Sequence, residues 1–483
     1  MPLMWFCKFL IVPLFLFAIS CSVIKQNQET EKQNVLFIAV DDLRPELGCY
    51  GKPFIHSPHI DGLASGGLLF ERAYCQQAVC SPSRTSLLTG LRPDATGVFN
   101  LTTHFRNTIP DVVTLPQYFK NDGYHTEWWG KIYHANLLDS LSWTVPGRQY
   151  EASSNWRGYV LEESRSIAGK RDGRGPAFEI AEVPDNAYPD GKIADGAIES
   201  LKKLATSNKP FFLAVGFLKP HLPFNAPKKY WDLYDPADIT LPEHLYPPDS
   251  APEFAGHNSG ELRSYYGIPE NGLLTREQSV QLIHGYRACV SYTDAQVGRL
   301  LAELKRSGLD KNTIVILWGD HGWKLADYGM WAKHTNFEVD TRAPLIVRSP
   351  EMKTRGVRTN ALVEFIDIYP SLCELAGLPA PPDLPGKSFV PLMDDPAMEW
   401  KKTAFSQYPR GEMMGYSMRT DRYRFTKWKK RKQPHEVIAY ELYDLQNDPH
   451  AFVNIANEPA SENIISELSK LMAESGVGEQ PIP

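Results

Sequence analysis

Asn34-Val35-Leu36-Phe37-Ile38-Ala39-Val40, followed at once by Asp41-Asp42, is the stretch from which the fold can be read. Its apolar residues are continuous rather than alternating, the mark of a strand buried on both faces of a parallel sheet. Two carboxylates then stand at its C-terminal end, the edge of an open α/β sheet where ligands bind. The same grammar recurs twice. Residues 210–217 run into Lys219-Pro220-His221, and residues 313–318 run into Gly319-Asp320-His321. Three buried strands therefore discharge polar side chains onto one rim. Helical stretches at 115–121 and 276–307 lie between them, so strand and helix alternate as in a doubly wound sheet.

Working outward, residues 145–195 and 232–275 are rich in Pro, Gly, Asn and charge and read as long surface excursions able to wall a cleft. Near 376–398 the string AGLPAPPDLPGKS breaks the helix-strand rhythm. Alternating segments follow at 403–407, 415–419, 423–428 and 439–444, predicting an antiparallel sheet closed by a helix at 461–475. The basic cluster Lys427 to Lys432 then falls on a hairpin tip, where a solvated loop and a contact for an anionic polymer are equally good readings. The expected division is 34–395 for the α/β domain and 396–483 for a smaller C-terminal α+β subdomain. A chain of 483 residues exceeds what one core usually serves, which agrees with that division. No internal repeat is visible.

Composition is that of an ordinary globular protein, 42% hydrophobic and 22% charged, and a net charge of -6 argues against a nucleic-acid partner. The N-terminus is different material. Lys8 precedes an apolar run, 9–19, too short for a permanent membrane span and suited to an export signal. The run ends in Ala18-Ile19-Ser20-Cys21, which resembles a bacterial lipobox, with Ala18 where Leu is usual. Residues 1–20 are read as a lipoprotein signal, Cys21 as the lipidated N-terminus and 21–33 as a polar tether; a plain secretory signal cut nearby is the other reading. Either way the chain is exported, and the lipid would anchor it to a membrane in the periplasm or at the cell surface. The seven cysteines show no paired spacing of a disulfide framework or zinc site. A Cys75–Cys80 disulfide is expected to be absent, since it would consume a thiol needed for chemistry.

That chemistry centres on Cys80-Ser81-Pro82-Ser83-Arg84, followed by Thr85-Ser86-Leu87-Leu88-Thr89-Gly90. Pro82 suits the first turn of a helix with Ser81 as its cap, which would place Cys80 at a helix N-terminus where backbone N–H groups favour an anion. Arg84, one turn on, can face the same site. Asp41, Asp42, Asp320 and His321 bring three carboxylates and an imidazole to one place, a cluster that would repel itself without a cation.

The string at 80–90 resembles the C-x-P-S-R motif of the formylglycine-dependent sulfatases, members of the alkaline-phosphatase superfamily. Six segments resemble the iduronate-2-sulfatase subgroup in order: FIAVDDLRPELGCYG, CSPSRTSLLTG, FLAVGFLKPHLPF, DHGWKLADYGMWAKHTNFE, SQYPR and MGYSMRT. The fold this implies is a large, mixed, mostly parallel sheet flanked by helices, with the smaller antiparallel subdomain behind it. The resemblance further implies that a maturation enzyme, either the aerobic formylglycine-generating type or an anaerobic one, oxidises Cys80 to formylglycine. It makes Asp41, Asp42, Asp320, His321 and residue 80 ligands of Ca2+, with Mg2+ left open because His321 stands where many relatives have Asn. Lys131 and His134, in a G-K-x-x-H element with helix-like spacing, would flank the aldehyde and the sulfate. His221 and Lys333 would sit at the leaving oxygen, and Trp323 with Lys333 would line a sugar pocket. The expected substrate is a sulfated oligosaccharide or polysaccharide, with exo-acting removal of a 2-O-sulfate from iduronate or a similar sugar. Two alternatives stand beside it: a phosphonate or phosphodiester hydrolase of the same fold, and a non-catalytic glycan-binding lipoprotein.

Overall fold

The structure is a computed structural model and describes residues 1–3, 32–147 and 157–479. The expectations for the signal segment, Cys21 and most of the tether fall outside the described residues. Among those described, no helix is long and apolar enough to cross a membrane. Residues from Lys32 onward form one compact unit.

The seven strands of the main sheet are β1 (Asn34–Val40), β2 (Leu68–Tyr74), β3 (His125–Gly130), β4 (Phe211–Phe217), β5 (Thr313–Gly319), β6 (Leu345–Arg348) and β7 (Val357–Glu364), in the spatial order β7-β2-β6-β5-β1-β4-β3. β1 pairs in parallel with both β4 and β5, with Phe37 opposite Ala214 on one side and Ile316 on the other. Only β6 runs antiparallel to its neighbours, so the sheet is mixed but mostly parallel. Every residue of β1, β4 and β5 is buried, as their unbroken apolar runs require. Successive side chains point to opposite faces, so Leu36, Ile38 and Val40 enter one core with the Pro189–Leu204 and Arg276–Arg306 helices. Val35, Phe37 and Ala39 enter the other, with Leu87, Leu88 and the Ile368–Leu375 helix. Each fully buried Val, Leu, Ile or Phe side chain among them stabilises the fold by roughly 1.5–3 kcal/mol.

A second sheet follows in simple up-and-down order: β8 (Ala404–Arg410), β9 (Met413–Arg419), β10 (Tyr423–Lys430) and β11 (Gln433–Asp444), covered by the Glu462–Glu474 helix through Leu468 and Met472. The α/β sheet with its smaller antiparallel companion is the expected fold class. Two local readings need correction. The first excursion is not all loop, because a 16-residue helix already starts at Pro189, where the proline suits its first turn. The basic cluster is mostly strand: Lys427 and Lys429 are buried on β10, and Lys429 donates to the Gly478 carbonyl, leaving only Arg431 and Lys432 in the turn.

Candidate active site

Because β1 to β5 all point the same way, their C-terminal ends deliver Asp41-Asp42, the segment leading to Cys80, Lys131, His221 and Asp320-His321 to one rim. Cys80 is the first residue of the Cys80–Thr89 helix, every residue of which is buried. The helix starts two residues earlier than a Ser81 cap implies. Val79, in extended conformation, precedes it without a side-chain cap, and the Ser83 hydroxyl is instead drawn off to the Asp320 carbonyl.

Arg84 organises the floor. Its Nε lies 2.9 Å from Asp320 Oδ2, its Nη2 lies 3.0 Å from Asp41 Oδ1, and its Nη1 reaches the carbonyl oxygens of Lys131 and Ile132. Those last contacts explain why the chain bends at residues 132–134 rather than forming the helix their spacing suggested. Gly130 ends β3 in the left-handed region at φ +73°, and a Cβ there would meet the Gly216 carbonyl oxygen at 2.0 Å. The carbonyls that a helix would use internally are thereby turned toward Arg84. Lys131 Nζ takes the other oxygen of Asp41 at 2.8 Å. Burial alone would raise the Asp41 carboxyl, but the Lys131 and Arg84 charges outweigh it and hold the group well below the usual carboxylate range.

Asp42 faces the other way, with φ +59°. It accepts from Lys333 Nζ at 3.0 and 3.1 Å, and its backbone N–H donates to Asp320 Oδ1 at 3.0 Å. His321 Nε2 stands 3.4 Å from Asp42 Oδ1, 3.6 Å from Asp320 Oδ1 and 3.4 Å from Cys80 Sγ. The other ring nitrogen is tied to the Gly322 carbonyl at 2.9 Å. The ligating atoms of Asp41, Asp42, Cys80 and His221 lie within 4.8 Å of one another, as do those of Cys80, Asp320 and His321. Fully buried, oxygen-rich donors converging in this way fit an oxygen-seeking divalent cation. As a thiol, Cys80 is a poor nucleophile here, because burial, reinforced by the nearby Asp41 carboxylate, pushes its pKa well up. The five cysteines among the described residues are all unpaired, Cys75 included.

A cavity of about 410 Å3 opens above Cys80 and is lined in part by His134, His221, Glu261, Lys333 and His334. Glu261 was not anticipated from sequence. Its Oε1 is 2.9 Å from Lys333 Nζ and 3.1 Å from His221 Nε2, and its Oε2 is 3.2 Å from His334 Nε2. The remaining ring nitrogen of His334 meets the Tyr408 hydroxyl at 2.9 Å. Burial works against the Lys333 charge, yet Asp42 and Glu261 hold its pKa well above the ordinary value. The expected role of Trp323 needs correction: it is fully buried and packs beneath Lys333, 4.7 Å from ammonium to ring, without reaching the cavity surface.

A mostly parallel sheet thus brings carboxylates, cations and a helix-borne residue 80 onto one rim, an arrangement suited to hydrolysis of an anionic ester. The chain belongs to the sulfatase family: the Sulfatase family model matches residues 33–378, and a model for the C-terminal region of N-sulphoglucosamine sulphohydrolase matches residues 326–477. It is an iduronate-2-sulfatase-like sulfatase, 35% identical to iduronate 2-sulfatase of Mus musculus, with 92% of this chain and 95% of that protein aligned. Among solved structures, a phosphonate monoester hydrolase of Silicibacter pomeroyi superposes with a TM-score of 0.77 at 22% identity, covering 93% of this chain and 96% of that one. A 2-O GAG sulfatase superposes at 0.72, also at 22% identity, with 94% of each chain covered. These two likenesses speak for the fold.

Proposed function

We propose that this sulfatase removes a sulfate ester from a sulfated saccharide, in the exo-acting manner of a 2-O-desulfation of iduronate or a similar uronic acid, with residue 80 acting as formylglycine. The observation that carries the proposal is the convergence on Cys80, at the floor of one cavity, of three carboxylates, Arg84, Lys131, Lys333 and two histidines. A hydrated aldehyde at residue 80 would supply one hydroxyl to attack sulfur and a second through which sulfate is expelled.

This chain's own residues do the rest. Asp41, Asp42, Asp320, His321 and the residue-80 oxygen would hold Ca2+, or Mg2+, whose charge would polarise a sulfate oxygen. Arg84 fixes Asp41 and Asp320 so that the metal-facing oxygens stay in place. Lys131 and Lys333 neutralise sulfate oxygens as they approach. His221, whose pKa is raised by Asp42 and Glu261 against the effect of burial, holds a proton to deliver to the leaving alcohol. His134, on the cavity wall beside Cys80, takes up a proton during sulfate release.

The iduronate 2-sulfatase relatives support the saccharide reading. The phosphonate monoester hydrolase fold match keeps one rival in view. Export, the Cys21 lipid anchor, the maturation enzyme and the 34–395 and 396–483 domain limits belong to the same proposal. Turnover is to be compared on a 2-O-sulfated uronate, an aryl sulfate and an aryl phosphodiester. Release of sulfate from the first two at far higher kcat/KM than hydrolysis of the third is the expected result. A dominant phosphodiesterase activity would overturn it.

A further inference from the structure

Lys219 is a buried basic residue that the proposed reaction does not use. It is 2% exposed, stands outside the cavity wall and, among the described residues, forms no ion pair. Burial pushes its pKa below the ordinary lysine value. An amine taken out of water without a carboxylate at contact is costly to keep, so its partners define its purpose. Those partners are backbone: Nζ donates to the carbonyls of His221 at 3.0 Å and of Pro223 at 2.5 Å.

The carbonyl between these two, that of Leu222, meets His221 Nδ1 at 2.6 Å. Three successive carbonyls are thus divided, the outer pair to Lys219 and the middle one to the imidazole. A carbonyl can only accept, so Nδ1 carries the hydrogen and Nε2 is the nitrogen turned to the cavity, where Glu261 Oε1 lies at 3.1 Å and Asp42 Oδ2 at 3.8 Å. Were the outer carbonyls released, the peptide planes around Leu222 could rotate and the ring would lose the acceptor that aims it. The base of the turn is tied to the frame as well. Asp190, in the first turn of the Pro189–Leu204 helix, accepts the backbone N–H groups of Leu218 at 2.9 Å and Lys219 at 2.8 Å. Thr293 of the Arg276–Arg306 helix donates to the Lys219 carbonyl at 3.0 Å.

Resting on the reading of His221 as the acid that protonates the leaving alcohol, we propose that Lys219 is a positioning residue for that step: by holding the His221 and Pro223 carbonyls it presents the Leu222 carbonyl to Nδ1 and so aims Nε2 at the leaving oxygen. Lys219 itself reaches neither the cavity nor the substrate in it. Loss of this clamp weakens proton delivery, and leaves substrate binding and attack on sulfur to the residues already assigned to them.

The test compares two esters that differ in their need for a proton: a sugar alcohol must be protonated to leave, whereas 4-nitrophenolate departs as the anion. The mature enzyme, Lys219→Met and His221→Asn are assayed for kcat on a 2-O-sulfated uronate and on 4-nitrophenyl sulfate, with thermal melts alongside. Methionine keeps an unbranched apolar stem and removes the donor. In His221→Asn the loss on the sugar ester should exceed that on the aryl ester by about 100-fold, the scale of general acid catalysis. Lys219→Met should show the same signature at about tenfold, with KM for the sugar ester moving by no more than about twofold. Equal losses on both esters in Lys219→Met would mark a general distortion and overturn the proposal, and so would undiminished turnover of both. Should that variant fail to fold, Asp190→Asn, which leaves one of the two N–H groups of the turn without its acceptor, is held to the same criterion. No release from the sugar ester by the unaltered enzyme, or equal losses in His221→Asn, would instead overturn the reading on which the proposal rests.

Discussion

The active-site cavity has two halves of different origin. The half built from strand ends, Asp41, Asp42, Lys131, His221, Asp320 and His321, is held by a hydrogen-bonded parallel sheet, and its side chains are almost completely buried. The half built from long connections, Arg157, Arg174, Glu261 and Tyr265, hangs on short pieces such as the four-residue helix Gly260–Arg263, which follows Ser259 at φ +61°. In the proposed reaction the first half carries the chemistry, and the second adjusts what enters and how the first half's cations are held. Rigid elements place reacting atoms, and loops supply discrimination.

The largest effect should come from the strand-end half. Cys80→Ala is expected to lower kcat by on the order of 10^4-fold or more while leaving the fold intact, since among the described residues the thiol's hydrogen-bonding contact is with His321 alone, at 3.4 Å. Steady-state kinetics together with a thermal melt will separate the two effects, and wild-type turnover would break the comparison at once. Arg84→Ala should act on stability instead, leaving Asp41 and Asp320 buried without their shared cation. A loss of about 3–5 kcal/mol in urea unfolding is expected, and a loss under about 1 kcal/mol would show that the floor is not held this way.

A third effect concerns the join to the second sheet, where Glu338 pairs with Arg424 and Arg419. Burial opposes ionisation there, but the arginines pull the carboxyl down to about 2 from 4.5. A carboxyl with a depressed folded pKa contributes stability that is fully present above about pH 4.5 and is lost as pH falls toward about 2. The contribution at neutral pH is about 3 kcal/mol. Unfolding measured across that window should steepen with acid in the wild type and flatten in Glu338→Gln; parallel curves would contradict the assignment. The smallest effect is assigned to the loop half: Glu261→Gln should lower kcat/KM about tenfold, because the amide still hydrogen-bonds but no longer balances Lys333 and His221. A loss as large as that of Cys80→Ala would erase the distinction between the halves.

The same division decides what could be read from sequence. β1, β4 and β5 announce themselves as unbroken apolar runs because both faces are buried, and their polar tails follow by chain continuity. β3, with its alternating burial at the sheet edge, and β2, with Glu71 and Arg72 half-exposed within it, carry weaker signals and gave no strand assignment. Glu261 lies in a stretch without periodicity, and its importance comes from three residues at least 40 positions away in the chain that meet it only after folding. Lys131 and His134 were found but given helical geometry, since nothing local shows that Arg84 will capture the carbonyls of residues 131 and 132. Trp323 was assigned by its neighbours in sequence to the pocket it lies beneath.

The account stands on the chemical state of residue 80. The most direct measurement is peptide mass spectrometry across Cys80 of protein made with and without a formylglycine-forming maturation enzyme, alongside sulfate release by the same samples. The account predicts an aldehyde in place of the thiol in the first sample, with activity rising in proportion to the fraction converted. Full sulfate release by protein whose residue 80 is wholly cysteine would contradict it.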